Sequence, residues 1–441
     1  MNFAQSKLQT WFSSTNFMKR ELDLRAGLVE IEKVPVDNFS YPQFSRSPQE
    51  AGETSPQSPD ILCSMTAKAH RNEPTTVLQT PGQLLANIPG ILGFYPSESI
   101  VLACMMQEDD ATTLTLGPVI RLDVGDTRLL PDVGQAVDSF NPTRIFAFLI
   151  SKELPPNALD DTLEQLLATA EQGIVNITGC WYTKEMISSE PYMLCFGPEP
   201  EALAADDHGI SEWEFGRIAP ISSAAATKRM LQEGQLPELN RHEAYALFEQ
   251  NNPHVSASKR KKLEKDARTL AEDIQHQINA DDSGYYYLTS LDVFTRALEF
   301  VKANYIDSSS GAENFDGLLG EVDILQTVAT YMAGSFLRDA VLHLCVDFPR
   351  EAALLLRAAA CTFTGEFRSN ALCLYALSVI AMGLSMKASP ALEAAIEATP
   401  RHNLSNLLRE GLFNGETTKL IDACLRGNQQ LRDFHVPDPK A

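Results

Sequence analysis

Four side chains in the first third of the chain have the types and spacing to meet around one ligand: Tyr95, Ser99, Arg121 and Asp123. Tyr95 lies in the turn Gly93-Phe94-Tyr95-Pro96 and Ser99 follows it, while Arg121 and Asp123, two apart, share one face of any strand that contains them. They form the best candidate for a polar cluster, and an enzyme of unspecified class, hydrolase or transferase, could use it only if these groups reach one reacting atom. Strand-end turns are also where α/β folds place ligands. The same residues suit a plain tight turn into a strand, with an ion pair covering its edge.

The other reactive groupings have simpler readings. Lys259, Arg260, Lys261, Lys262, Lys265 and Arg268 form the one dense basic patch, but a helix spreads them over more than one face and no aromatic residue is interleaved to stack on bases. Ser256-Ala257-Ser258-Lys259 has the bare S-x-x-K spacing of some acyl-transfer enzymes, yet Ser256 before a charged helical stretch reads as an N-cap. Tyr285-Tyr286-Tyr287 either lines a groove or anchors the next helix. The acidic pairs Asp160-Asp161 and Asp206-Asp207 read as surface charge or helix N-terminal carboxylates. Eight histidines and eight cysteines show no metal-ligand spacing, and the cysteines, mostly in apolar runs such as Leu372-Cys373-Leu374, read as reduced buried thiols. No metal site or cofactor is implied. Phosphate-cradling, dinucleotide-binding, H-E-x-x-H and G-x-S-x-G patterns do not occur.

Elements must position these groups, and composition limits what they can build. The 441 residues exceed a single-domain size, and 44% hydrophobic with 21% charged residues is ordinary for a folded chain. With 36 Lys and Arg against 58 Asp and Glu, the net charge of -22 disfavours nucleic acid and anionic lipid over most of the surface. The N-terminal residues lack a secretory signal's apolar stretch, and apolar runs are broken before the ~18 residues that span a bilayer, so the cytoplasm is the expected address.

Residues 1–75 predict a disordered tail, since the Ser/Pro/Gln/Glu mixture of residues 40–59 cannot bury enough apolar surface to order itself. Met65, just before the first structured segment, offers an alternative start, which peptides detected upstream of it in the native protein would exclude. An α/β domain is expected over residues 76–212. It opens with a helix capped by Thr80, with Pro81 at its first position and Pro89 ending or kinking it. Apolar runs at residues 99–105 and 119–124, split by a turn at Glu108-Asp109-Asp110, predict an antiparallel pair. Helical periods at 128–140 and 159–171 then alternate with strands at 145–150, 174–182 and 192–196, which predicts a mixed, partly parallel sheet. Beyond residue 212 helical periods dominate: a helical linker region over 213–280, an all-α helical-hairpin domain over 281–415, and a C-terminal helix and tail over 416–441. Helices are expected at 241–250, 256–279, 288–303, 322–346, 350–363, 369–385, 390–398 and 403–413. Ala391 to Pro400, rich in small residues with a terminal Pro, has weak tetratricopeptide-like character.

The stretch Thr80-Pro81-Gly82-Gln83-Leu84-Leu85-Ala86-Asn87-Ile88-Pro89-Gly90-Ile91-Leu92-Gly93-Phe94-Tyr95-Pro96-Ser97-Glu98-Ser99-Ile100-Val101, followed by Arg121-Leu122-Asp123, resembles the bacterial family called domain of unknown function 4192. The resemblance extends over roughly residues 76–415 and is carried by its two ends, the second being Ala371 to Leu408. Tyr95 stands where His is commoner in that family, and Gly383-Leu384-Ser385-Met386 replaces a Gly-Asp-Gly type turn. The resemblance implies an architecture and no activity. The first expectation is therefore a non-enzymatic interaction or regulatory module that meets a protein partner through its helical region, with the oligomeric state open. The alternative is an enzyme of unspecified class, hydrolase or transferase, with its pocket at the sheet edge.

Overall fold

The computed structural model describes residues 60–63, 78–107, 114–197, 211–307 and 311–436, with 60–63 given by backbone alone. The rest of the expected N-terminal tail lies outside the described residues, as do the turn at Glu108-Asp109-Asp110 and the pair Asp206-Asp207.

Seven strands make one sheet: β1 (Asp60–Cys63), β2 (Ser99–Gln107), β3 (Leu114–Asp123), β4 (Arg144–Ile150), β5 (Ile177–Thr183), β6 (Pro191–Phe196) and β7 (Phe215–Arg217), in the order β1-β3-β2-β4-β5-β6-β7. β4 and β5 run parallel and the other neighbours antiparallel. β1 extends the sheet from within the segment expected to be a tail, and β7 is too short to display a period of two.

Four helices belong to this unit: α1 (Pro81–Leu92), α2 (Leu130–Asp138), α3 (Pro156–Glu171), which is the crossover from β4 to β5, and α4 (Ala225–Gln232). They explain why the central strands are apolar at every position. Ile100, Leu102 and Cys104 of β2 face the side covered by Leu130, Val133, Val137 and Leu166 of α2 and α3. Val101 and Ala103 face the opposite side, against Leu84, Leu85, Ile88 and Leu92 of α1. A strand covered on both faces loses its alternation and reads as a continuous apolar run.

In α1 the Thr80 hydroxyl accepts the Gln83 N–H at 3.3 Å, as the cap pattern predicts. The helix does not stop at Pro89. It continues to Leu92 and closes on Gly93, whose φ of 79° suits glycine and whose N–H reaches the Pro89 carbonyl at 2.9 Å. A proline one turn from the C-terminus forfeits a single hydrogen bond, and burial of Ile88 and Leu92 outweighs that loss. Asn87 then caps α4 from a distance, its Oδ1 accepting the Ala226 N–H at 3.0 Å.

The second half is helical: α5 (Arg241–Ala246), α6 (Ala257–Asn279), α7 (Tyr285–Tyr305), α8 (Phe315–Leu319), α9 (Val322–Met332), α10 (Ser335–Ala340), α11 (Leu342–Asp347), α12 (Pro349–Thr362), α13 (Gly365–Ala381), α14 (Ala388–Ala398), α15 (Asn403–Phe413) and α16 (Thr417–His435). The hairpins α12–α13 and α13–α14 put α13 at the centre, buried nearly all round, which is why its apolar residues show no single stripe. Residues 322–346 form three short helices rather than the single one expected: Gly334 is extended (φ -165°) between α9 and α10, and Val341 leaves the helical conformation (ψ 0°) between α10 and α11. No helix among the described residues is long and apolar enough to cross a membrane.

Gly427 lies inside α16, and a Cβ there would meet nothing within 4 Å. Gly427→Ala is therefore expected to stabilise the protein by about 0.5–1 kcal/mol, through lower backbone entropy in the unfolded chain. A urea midpoint that does not rise would show that α16 contributes nothing to the cooperative unit.

Candidate functional site

The structure brings Ser99, Arg121 and Asp123 together at one end of the sheet. Strand register sets Ser99 opposite Asp123 and Arg121 opposite Val101. Arg121 Nε donates to Ser99 Oγ at 2.9 Å, and its Nη2 pairs with Asp123 Oδ1. Ser99 in turn donates to the Ser97 carbonyl at 2.6 Å. Ser99 is 0% exposed and Arg121 6%, so both side chains are spent on each other and on the turn. Tyr95 is half-buried, with its backbone N–H on the Glu238 carbonyl at 3.0 Å.

Tyr95 lines a cleft of about 780 Å³ whose other walls sequence reasoning missed. The cleft opens at the carboxyl ends of the parallel strands β4 and β5, the position at which open α/β sheets receive ligands. Residues Lys152 and Glu153 follow β4, residues 184–188 follow β5, and Pro96, Ser97 and Glu98 precede β2, which begins at the same edge because it is antiparallel to β4. Ile221, Ser222 and Leu239 complete the wall. Its carboxylates are Glu98, Glu153 and Glu185, its ammonium groups Lys152 and Lys184, and its apolar surface comes from Met186, Ile187 and Ile221.

Glu98 is the organising residue. Its φ of 45° lies in the left-handed region that glycine favours and larger residues avoid. Its carboxylate accepts from Ser151 Oγ at 2.5 Å, the Lys152 N–H at 2.8 Å and the Glu153 N–H at 3.0 Å. One side chain thus fixes the whole loop that leaves β4. Lys152 pairs with Glu185 across the rim, and that contact holds its ammonium above the ordinary lysine range. Tyr182 donates to the Ser151 carbonyl at 3.0 Å, and burial, with the Glu98 charge second, raises its phenol. Nothing in the motif announced these roles: Glu is an unfavourable type for positive φ, and Lys152 becomes interesting only once β4 and β5 are known to be parallel.

The remaining candidates are distributed. Lys259, Lys261, Lys262, Lys265 and Arg268 are exposed around α6, Arg260 is half-buried, and the Arg268 guanidinium lies 4.7 Å over the Phe367 ring. Ser256 caps α6, its Oγ accepting the Lys259 N–H at 3.3 Å. Asp160 and Asp161 are exposed on α3. Tyr287 is buried against His435, whereas Tyr286 lines a groove of about 250 Å³ between α6, α7 and α9, together with Leu270, Ile274 and Val293. Among the described residues no three His, Cys, Asp or Glu side chains gather as metal ligands.

Residues 81–418, more than half of the chain, match the model of the family described as Domain of unknown function (DUF4192). No curated protein and no solved structure matches the chain.

Proposed function

The chain belongs to the DUF4192 family, a membership that specifies a domain and no activity, and from that premise we propose that it is a ligand-responsive binding module. The cleft at the carboxyl edge of β4 and β5 takes a small amphipathic zwitterion such as a short peptide, and the helical half carries the response to a protein partner. The observation behind this reading is Glu98, a strained residue that fixes a cleft-lining loop with three hydrogen bonds. Such strain persists where the surroundings over-determine it, and it gathers at ligand sites. The lining fits the class of ligand: carboxylates for an amine, Lys184 for a carboxylate, and Met186, Ile187 and Ile221 for an apolar side chain. The groove beside Tyr286, Leu270 and Val293 is the surface on the helical half that suits a partner.

Thermal unfolding of the full chain with a panel of di- and tripeptides tests the cleft. A saturating peptide, at about 100 times its Kd, should stabilise the protein by roughly 3 kcal/mol. Ile187→Trp, which fills the cleft from a half-exposed position, should abolish the shift, and Glu98→Gly should weaken it by releasing residues 151–153. The reading fails if no peptide raises the midpoint, or if the shift survives in Ile187→Trp. The alternative, hydrolase or transferase chemistry, draws on the contact among Ser99, Arg121 and Asp123. It requires Ser99 to be released from Arg121 and from the Ser97 carbonyl, and Ser99→Ala separates the two readings because it should leave peptide binding intact.

A further inference from the structure

Two thiols that the cleft does not use come together between β5 and β6. Strand register pairs Cys180 with Phe196 and the next residue, Trp181, with Leu194. Cys195 is therefore the extra residue of a bulge, and two residues of β6, Cys195 and Phe196, oppose Cys180 alone. Both cysteines lie on the face of the sheet covered by α2 and α3: Cys180 is 0% exposed in that core, and Cys195 packs against it. Residues opposite one another on antiparallel strands have Cα atoms about 4.5–5.5 Å apart, inside the roughly 4.4–6.8 Å that a disulfide spans. The register alone brings the pair within reach of a bond.

The two thiols differ in access, and that difference gives each a role. Among the described cysteines, Cys195 and Cys424 are half-buried, whereas Cys104, Cys180, Cys345, Cys361 and Cys373 are buried. Cys195 can be reached from solvent, and its Sγ donates to the Met193 carbonyl over a long 3.8 Å. Contact with the Cys195 thiol first, and burial second, hold Cys180 well above the ordinary thiol range, so Cys180 stays protonated and is not the group that meets an oxidant. Burial pushes Cys424 up to about 11, which leaves little thiolate at neutral pH.

We propose that Cys195 and Cys180 form a dithiol site oxidised by hydrogen peroxide, in which Cys195 reacts first and Cys180 resolves it into a disulfide across β5 and β6. The Cys195 sulfur attacks the peroxide: an S–O bond forms, the O–O bond breaks, and one water leaves with the thiol proton, giving a sulfenic acid. The Cys180 sulfur then attacks the Cys195 sulfur: the S–S bond forms, the S–O bond breaks, and the hydroxyl leaves with the Cys180 proton as a second water. Two electrons pass from the thiols to the peroxide, which ends as two waters. The ring closed by this bond runs from Cys180 to Cys195 and contains residues 184–188 of the cleft wall, yet the site does not depend on what the cleft binds.

Treatment of the full chain with hydrogen peroxide, followed by alkylation in denaturant and peptide mapping by mass spectrometry, decides the matter. Trypsin cuts after Lys184 and so places Cys180 and Cys195 in separate peptides, residues 153–184 and 185–217. The oxidised protein should yield these two as one cross-linked species, about 2 Da lighter than their sum and released by dithiothreitol, while Cys424 stays open to alkylation at the same peroxide concentration. Cys195→Ser should leave Cys180 reduced under that treatment, and Cys180→Ser should leave Cys195 as a sulfenic acid that dimedone traps. Cys195→Ser changes one atom at a half-buried position, so it remains decisive if Cys180→Ser fails to fold by circular dichroism. Free Cys180 and Cys195 after the peroxide has consumed Cys424, or oxidation of Cys195 to sulfinic acid with Cys180 still free, overturns the site.

Discussion

Acidifying the protein from pH 7 to pH 4 is expected to remove about 3 kcal/mol of stability through His402 alone. The ring is 8% exposed and caps α15, its Nδ1 accepting the Ser405 N–H at 3.3 Å. A backbone N–H can only donate, so Nδ1 is bare and the single proton of the neutral ring is on Nε2, which donates to Asn370 Oδ1 at 2.8 Å. Asn370 Oδ1 also accepts from Arg338 Nη1 at 2.8 Å, and its amide donates to the Met332 carbonyl at 2.9 Å. A proton on Nδ1 would destroy the cap and set a second positive charge beside Arg338. Burial first, and Arg338 second, push the imidazole from 6.5 down to about 4.

The unfolded chain therefore takes up a proton as pH falls through 6.5, while the folded chain does not until about 4. The stabilisation is complete above 6.5, shrinks between the two values and is gone below about 4. His402→Asn keeps a good cap acceptor and removes the titration. Urea unfolding at pH 7, 5.5 and 4 should show the wild type losing about 3 kcal/mol more than this variant. His343 and His435, also lowered by burial, act equally in both proteins. Parallel losses in the two would remove His402 from the account.

Gly90→Ala and Gly134→Ala are expected to destabilise by about 2–3 kcal/mol each, against the roughly 1 kcal/mol that alanine gains over glycine inside a helix. A Cβ on Gly90 would stand 2.5 Å from the Thr227 nitrogen and 2.6 Å from the Ala226 carbonyl carbon. Both are backbone atoms of α4, and the bond from Asn87 to the Ala226 N–H prevents α4 from retreating. On Gly134 of α2 the Cβ would lie 2.1 Å from the Ile174 carbonyl oxygen. Gly125, where a Cβ meets nothing within 4 Å, is the control, and its alanine variant should stay within about 0.5 kcal/mol of wild type. Denaturant midpoints for the three variants test the contrast. A Gly90 or Gly134 variant as stable as the Gly125 one would mean that α1 does not press on α4, or α2 on the loop at Ile174, as closely as this.

The parts of the fold legible in the sequence are those whose pattern reports burial directly. Residues 145–150 and 99–105 read as strands because both faces of β4 and β2 are covered, and α15 was read at residues 403–413 because its stripe and its ends are clear. Reading failed where a single residue competed with a longer pattern. Pro89 reads as an end or a kink of its helix, yet the helix passes it because the packing of Leu92 decides. The helical period over 322–346 reads as one helix, yet Gly334 opens the chain between α9 and α10.

Residue types and their periods by themselves determined that a mixed sheet covered by helices precedes a helical half, because alternation and three-to-four spacing are local consequences of which side of each element meets water. Tertiary structure alone decided the chemistry. It spent Ser99 and Arg121 on each other and gave the cleft to Glu98, Lys152 and Ile187. Those groupings depend on strand direction and register, and no local pattern encodes either.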